Sequence, residues 1–279
     1  MASKDPKIKE KIMMETVKLA SKHKWTTPPP YLGKGVQDLV KKISKNPDPY
    51  MKLKKKFNAI ALEAYPQLKA EVGKSRDRLL SALKVAITGN VIDFGSAWKF
   101  NVHTEIEQLF QNRPGVFDYA EFRRAFKKAR LILYIADNAG ETVFDRVLIE
   151  TMKDIKDVEV IYAVKESPIL NDTMIEDALY AGLDKCSTII SSGSGLPGVM
   201  PREASKEFLR YYKSADIIIA KGMGNFELMD TEKGPIFFML KAKCPVVAKE
   251  LGVKMGDMVL RSGLNLRARD RKLKTKRGV

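Results

Sequence analysis

The chain has 279 residues, 44% of them hydrophobic and 30% charged, a globular composition long enough to bury one large core or a core with a smaller appendage. Its two cysteines, Cys186 and Cys244, and two histidines, His23 and His103, exclude a disulfide framework and a cysteine zinc site. They leave little for imidazole catalysis, so chemistry must rest on carboxylates, amides, lysines and a metal. The net charge of +16 admits a nucleic-acid partner, but much of it sits at the two ends, and no apolar run approaches the ~20 residues of a membrane span.

The amino terminus, from Met1 to Glu10, is charged and lacks the apolar centre of a signal peptide, so a cytoplasmic protein is expected. From about Pro6 to Lys128 the pattern is helical, broken at 26–30, 45–49 and 112–115 by proline clusters, and residues 1–128 are expected to form a helical N-terminal subdomain. Within it Phe57, Ile60, Ala61, Ala64 and Leu68 make one apolar stripe. Ser75 and Asp77 head a capped amphipathic helix that carries Leu79, Leu80, Leu83, Val85 and Ala86 and ends near Gly89. The segment 89–95 that follows has two readings. It is a helix cap and a turn in which Asn90 and Asp93 make ordinary bonds, or a loop that closes over a site from the helical half.

After Lys128 short apolar runs alternate with helical stretches. Strands are expected at 131–135, 158–163, 187–190, 216–219 and 245–248, with crossover helices at 141–153, 174–181 and 202–213. The continuous β-branched character of the strands indicates burial on both faces, so residues 129–266 are expected as an α/β domain built on a doubly wound, mostly parallel sheet. Residues 267–279, with Arg267, Arg269, Arg271, Lys272, Lys274, Lys276 and Arg277, make a basic tail, usually solvated and sometimes in contact with RNA.

In such a sheet the ligand site lies beyond the carboxyl ends of the strands. The clusters that fall there are Asp137-Asn138, Asn171-Asp172, the Ser191-Ser192-Gly193-Ser194-Gly195 loop and Lys221-Gly222, and no comparably rich cluster falls at the opposite edge. Asp137 and Asn138 suit either a turn and cap or, as oxygen ligands, a hard cation such as Mg²⁺ or Mn²⁺, which Asn171 and Asp172 could help to hold. Asp172 also fits as the N-cap of the helix after it. Free N–H groups at Gly140 to Thr142 would favour a phosphate, and Glu141 would orient a metal-bound water or complement the helix dipole; Asp145, one turn on, lies farther from the helix start. Ser192 and Gly193 belong to a loop whose backbone can approach a phosphate, though no nucleotide motif is present. Lys221 is a point charge suited to a transferring phosphoryl group, or an exposed loop lysine.

Taken in order, the Gly89–Gly95 segment, Asp137-Asn138-Ala139-Gly140-Glu141, Asn171-Asp172, Lys221-Gly222-Met223-Gly224-Asn225-Phe226-Glu227 and Lys243-Cys244-Pro245-Val246-Val247 resemble the metal-dependent damage-control phosphatases, a family long catalogued as a domain of unknown function. The resemblance implies a three-layer α/β/α domain joined to the helical subdomain. It also implies a divalent cation (Mg²⁺, Mn²⁺, Co²⁺ or Ni²⁺) held by Asp137, Asn138 and Asp172, and hydrolysis of a small phosphorylated metabolite such as a sugar phosphate or a damaged by-product. Lys221, Asn225 and the loop bearing Asn90 and Asp93 would contact the phosphate or the rest of the substrate. The expected site is therefore Asp137, Asn138, Asp172 and Lys221 for catalysis, with Asn90, Asp93, Gly140, Glu141, Ser192, Gly193 and Asn225 around the substrate. One departure stands out: many prokaryotic relatives carry a Cys-x-x-Cys pair near the N-terminus, whereas no cysteine precedes Cys186, which suggests an archaeal-like branch. Water is favoured over Asp137 as nucleophile because the Asp-x-Asp-x-Thr/Val pattern of aspartyl-phosphate enzymes is missing. Two rivals remain: an S-adenosylmethionine-dependent carboxyl methyltransferase, with Glu166 nearest to a ribose, and a nucleic-acid binder working through its basic tails.

Overall fold

The computed structural model describes residues 2–24, 26–89 and 115–266. The helical half opens with α1 (Pro6–Ser21), whose N-cap Asp5 accepts from the N–H of Lys7, and α2 (Pro29–Ser44), which starts on a proline and ends where Lys45 turns left-handed. Next come α3 (Met51–Lys74), which buries Phe57, Ala61, Ala64 and Leu68 while Ile60 is half-buried, and α4 (Arg78–Thr88). Asp77 caps α4 by accepting from Leu80 N at 3.1 Å.

Strand β1 (Val116–Phe117) and helix α5 (Tyr119–Lys128) lead into β2 (Leu131–Ile135), α6 (Glu141–Ile155), β3 (Glu159–Val164) and α7 (Ile175–Tyr180). Strand β4 (Thr188–Ser191), helix α8 (Lys206–Ser214), strand β5 (Ile217–Lys221) and helix α9 (Gly222–Met229) follow. The described fold closes with β6 (Ile236–Lys241), α10 (Pro245–Leu251) and β7 (Met258–Ser262). The seven strands lie in the order β1-β7-β6-β5-β2-β3-β4, and every pair is parallel except β6 with β7. The chain leaves β2 toward β3 and β4, then returns to build β5 on the other side, so the order reverses between β2 and β5 and opens a crevice at their carboxyl ends.

Side chains alternate across the sheet and divide the core in two. Ile132, Tyr134, Val160 and Tyr162 pack with α3, α4, α5 and α6. Leu133, Ile135, Ile161 and Ala163 pack with Phe208 of α8, Phe226 of α9 and Leu251 of α10. The result is the expected three-layer α/β/α arrangement with helices at the N-terminus. The helical half is continuous with the sheet: α3 and α4 share one apolar cluster with it, and β1, which precedes the boundary drawn at 128, pairs with β7.

One expected strand is a helix. Residues 245–248 form the first turn of α10, where Pro245 gives up an N–H that a helix start leaves unpaired anyway, and Gly252 at φ 72° closes the C-terminus. The β-branched pair Val246-Val247 had suggested extension. Strands β1, β6 and β7 were not anticipated. No described helix is long and apolar enough to cross a membrane. The basic tail 267–279, with Asn90 and Asp93, lies outside the described residues.

Candidate active site

The loops after β2 and β3 are zipped together. Ala139 N donates to Asn171 O at 2.8 Å and Thr173 N to Asp137 O at 2.8 Å, which makes Asn138 and Asp172 partners in an antiparallel bridge. Leu170, just before it, holds φ 48°, an unfavourable conformation for a branched side chain and a mark of a turn constrained by its surroundings. From the other side of the crevice Gly222, at φ 80°, begins α9, and a Cβ there would fall inside the Asp137 carboxylate. A cleft of about 290 Å³ opens over these residues, lined by Asp137, Asn138, Asp172, Glu227 and Lys243, with Pro30 of α2 among the residues on the helical side.

Asp172 is buried and Asp137 half-buried, so water stabilises the charge of neither carboxylate fully. The Asp137 carboxyl is pushed well above the ordinary range by burial and by Asp172 beside it. That of Asp172 is also raised by burial, with Lys165 working the other way. Lys165 is itself buried, its ammonium lowered by desolvation against the pull of Asp172 and Asp137. Its Nζ stands 3.6 Å from Asp172 Oδ2, and neither atom has a hydrogen bond among the described residues. Asp172 does not cap the helix after it; Met174 occupies the cap and Asp177 accepts from its N–H at 3.0 Å.

Behind this pair lies a second, fully paired layer. Lys221 has no exposed surface, and its Nζ donates to Asp145 Oδ1 at 2.6 Å, to Glu141 Oε2 at 3.2 Å and to the Ala86 carbonyl of α4 at 2.9 Å. It is therefore neither an exposed loop lysine nor a wall of the cleft. Burial opposes its charge, but Asp145 and Glu141 overcome that and raise its pKa. Asp145 also accepts the hydroxyls of Tyr134 at 2.6 Å and Tyr162 at 2.8 Å. Burial raises the Glu141 carboxyl to about 7 despite Lys221. Glu141 Oε1 takes Asn138 Nδ2 at 2.8 Å, and the same nitrogen reaches Asp137 Oδ2 at 2.9 Å. A continuous chain of contacts thus runs from Lys221 through Glu141 and Asn138 to Asp137.

The start of α6 is less available to an anion than the sequence indicated. Gly140 N donates to Asn58 Oδ1 of α3 at 2.6 Å, and Glu141 N to Asn138 O at 3.2 Å. Asn58 in turn donates to Asp177 at 2.7 Å, and Lys54 pairs with Asp177 at 3.3 Å and Asp48 at 3.1 Å. Asn225 is a structural pin: its Oδ1 takes Val199 N at 2.8 Å, and its Nδ2 reaches Ala136 O at 3.2 Å and Lys221 O at 2.7 Å. Ser192 is buried, accepting from Ser194 N at 3.3 Å, and Gly193 at φ 71° packs on Ser205; neither lines the cleft. Gly89, at the end of α4, lies so close to Glu141 that a Cβ would sit 3.3 Å from its Cα.

The charged cleft residues that the sequence motifs include without giving them a role are Lys243 and Glu227. Lys243 follows β6, and because that strand was not recognised its position at a carboxyl end was invisible; Glu227 is one α9 turn from Met223 and half-buried, its carboxyl raised by burial and by Asp230. Lys165 also carries no expected role, although it directly follows β3 at a carboxyl end. Among the described residues no three His, Cys, Asp or Glu side chains converge as a ready metal cage. A cation here would take two carboxylates and an amide from the protein and its remaining ligands from water or substrate. That set fits Mg²⁺-like ions, and the unbonded, buried Asp172 Oδ2 is the acceptor such an ion would satisfy. Glu166, the candidate ribose ligand of a methyltransferase, instead accepts the hydroxyl of Ser191.

Comparison with known proteins agrees with this fold. A model of the damage-control phosphatase ARMT1-like domain matches residues 1–259. A damage-control phosphatase of Pyrococcus horikoshii is 38% identical over 262 residues, covering 93% of this chain and 90% of that protein. One from Archaeoglobus fulgidus is 35% identical over 218 residues, 76% of this chain and 75% of that protein. The crystal structure of a DUF89 family protein from Pyrococcus horikoshii superimposes with a TM-score of 0.87 at 37% identity, covering 94% of this chain and 92% of that one.

Proposed function

The chain belongs to the damage-control phosphatase ARMT1-like family, and from that premise we propose that it is a divalent-cation-dependent phosphomonoester hydrolase acting on a small phosphorylated metabolite in the crevice between β2 and β5. The observation that carries the cation is the pair of carboxylates lining the cleft, half-buried Asp137 and buried Asp172, both with raised pKa values, and the Asp172 Oδ2 that has no hydrogen bond among the described residues. Asp137, Asn138 and Asp172 would hold Mg²⁺, Mn²⁺, Co²⁺ or Ni²⁺, which when bound supplies positive charge against the phosphoryl oxygens. Lys243, exposed at the cleft, adds a cation for the phosphate, the role that sequence reading had given to Lys221. Lys221 instead neutralises Glu141 and Asp145, so that Glu141 can hold the Asn138 amide in place. Glu227, with its raised carboxyl, is the group at the cleft able to carry a proton to the leaving alkoxide, and water is the nucleophile. Sugar phosphates and damaged phosphorylated by-products fit a cleft of about 290 Å³ that is open to solvent.

The test is phosphate release from a panel of sugar phosphates and p-nitrophenyl phosphate, with chelator or with each of the four cations. Cation-dependent release is expected, and Asp172→Ala should reduce it at least a thousandfold while the circular dichroism of the fold is retained. Release that survives both chelation and Asp172→Ala would remove the cation from the reaction. No release with any cation would remove the phosphatase reading.

A further inference from the structure

The opposite side of the molecule holds a second and larger cavity, of about 810 Å³. It lies at the amino-terminal ends of β2 and β3, between the α3–α4 turn (Arg76, Asp77, Arg78), α5 (Tyr119, Arg123, Phe126, Lys127) and the end of α6 (Ile155, Lys156). Helix α4 separates it from the active site: Asp77 stands in the cavity at one end and the Ala86 carbonyl receives Lys221 at the other. Its 11 residues span roughly 16 Å, at about 1.5 Å per residue, so the two places are distinct.

The cavity has five cations and a single carboxylate, and that carboxylate is already engaged. Asp77 accepts the Tyr119 hydroxyl at 2.7 Å through both oxygens and the N–H of Leu80 at 3.1 Å. Two of the cations are also committed: Arg78 pairs with Asp154 at 2.7 Å, and Lys156 reaches the Lys127 and Ala129 carbonyls at 3.2 and 2.5 Å. Arg76, Arg123 and Lys127 have no ion pair among the described residues, and the Nε of Arg78 is a buried donor with no acceptor there. Unpaired cations gathered around a concavity leave its potential unbalanced and favour an anion of more than one charge. The apolar part of the wall is the 47%-exposed Ile155, with the buried Leu79 and Phe126 behind it. A volume of this size matches sites for organic ligands, and guanidinium groups fork onto phosphate oxygens.

We propose that this cavity binds an organic phosphate with an aromatic body, the chemistry of a nucleoside polyphosphate, at a site separate from catalysis. Its phosphates meet Arg76, Arg123, Lys127 and Arg78 Nε, and its ring lies against Ile155, in front of Leu79 and Phe126. The sequence did not point to it, because its residues come from a turn and two helix ends rather than from strand ends.

The probe is the non-hydrolysable ATP analogue AMP-PNP, titrated calorimetrically in parallel with adenosine and inorganic tripolyphosphate. The protein is used as wild type, as Asp137→Ala and as the double variant Arg123→Glu/Lys127→Glu. Both charge reversals are on exposed side chains outside the catalytic machinery, so phosphate release without nucleotide should be unchanged and reports that the variant is folded. AMP-PNP is expected to bind wild type and Asp137→Ala alike, at least tenfold more tightly than either fragment, and to weaken at least tenfold in the double variant. Binding lost in Asp137→Ala but kept in the double variant places the nucleotide in the active site and overturns the proposal. Tripolyphosphate binding as tightly as AMP-PNP overturns the aromatic half, and no binding of AMP-PNP overturns the whole. Because the readout is binding rather than turnover, failure here is distinguishable from failure of the phosphatase assignment.

Discussion

At the scale of single residues, Gly222 and Lys221 show how tightly the end of β5 is tied to the site. Any side chain at 222 must occupy the space of the Asp137 carboxylate and adopt φ 80°, a backbone region that an L-residue enters at a cost. Gly222→Ala should therefore swing Asp137 away, lowering cation affinity and kcat/KM about 10- to 100-fold, the range seen when support around a metal ligand is lost. Metal titration alongside steady-state kinetics reads this, and an unchanged cation affinity would show that Asp137 is not a ligand. Lys221→Met leaves Glu141 and Asp145 buried without their cation, a loss of about 3–5 kcal/mol for a broken buried pair. Urea unfolding should show that loss. A variant of wild-type stability with only a raised KM would instead place the lysine on the substrate.

At the scale of elements, the catalytic loop is braced by a helix from the other end of the chain. Asn58 on α3 spends its amide between Gly140 and Asp177, and Lys54 one turn earlier completes the set. Asn58→Ala removes both bonds and leaves a buried N–H and a buried carboxylate oxygen under-satisfied, which costs about 1–3 kcal/mol. The expected result is a lower urea midpoint together with a fall in kcat greater than any change in KM, because α6 carries Glu141 rather than a substrate contact. The same scale explains what sequence reading reached and missed. Strands β2, β3 and β5 were legible within two residues because they are largely apolar and buried on both faces, and the edge strand β4 within one, through its Ile189-Ile190 pair. Strand β6 is equally apolar, but attention to Val246-Val247 moved the strand one element downstream, and a helix start on proline looks extended from local pattern alone. With β6 unplaced, Lys243 could not be seen at its carboxyl end.

At the scale of the molecule, the raised carboxyls link stability to pH and to the cation. Asp137, Asp172 and Glu141 all have folded pKa values above their ordinary ones, that of Glu141 at about 7. A raised carboxyl binds its proton more tightly folded than unfolded. Its contribution is therefore complete below the ordinary carboxylate range and is lost as pH rises through the folded value. With chelator present, the melting temperature should fall between about pH 5 and pH 8 as far as these groups set it. A divalent cation binds the ionised pair, so its stabilising shift should grow over the same interval. Calorimetric melts of the wild type and of Asp137→Asn/Asp172→Asn across this range check both statements. A cation-induced shift as large at pH 5 as at pH 8, or one that persists in the double variant, would place the ion elsewhere.

The sequence by itself determined that this is an α/β protein with a helical first half, and that its polar clusters gather where β2, β3 and β5 end. Those features depend on apolar periodicity and on polar residues at strand ends, both of which are local. Only the tertiary structure decided which of the polar residues face the cleft. Lys221, Asn225 and the N–H of Gly140 had the right composition and position along the chain, but Asp145, Val199 and Asn58 reach them first. Lys243 and Glu227 line the cleft instead. Partner choice inside a protein is settled by contacts between residues far apart in sequence, and a buried donor takes whichever acceptor the packing brings within about 3 Å.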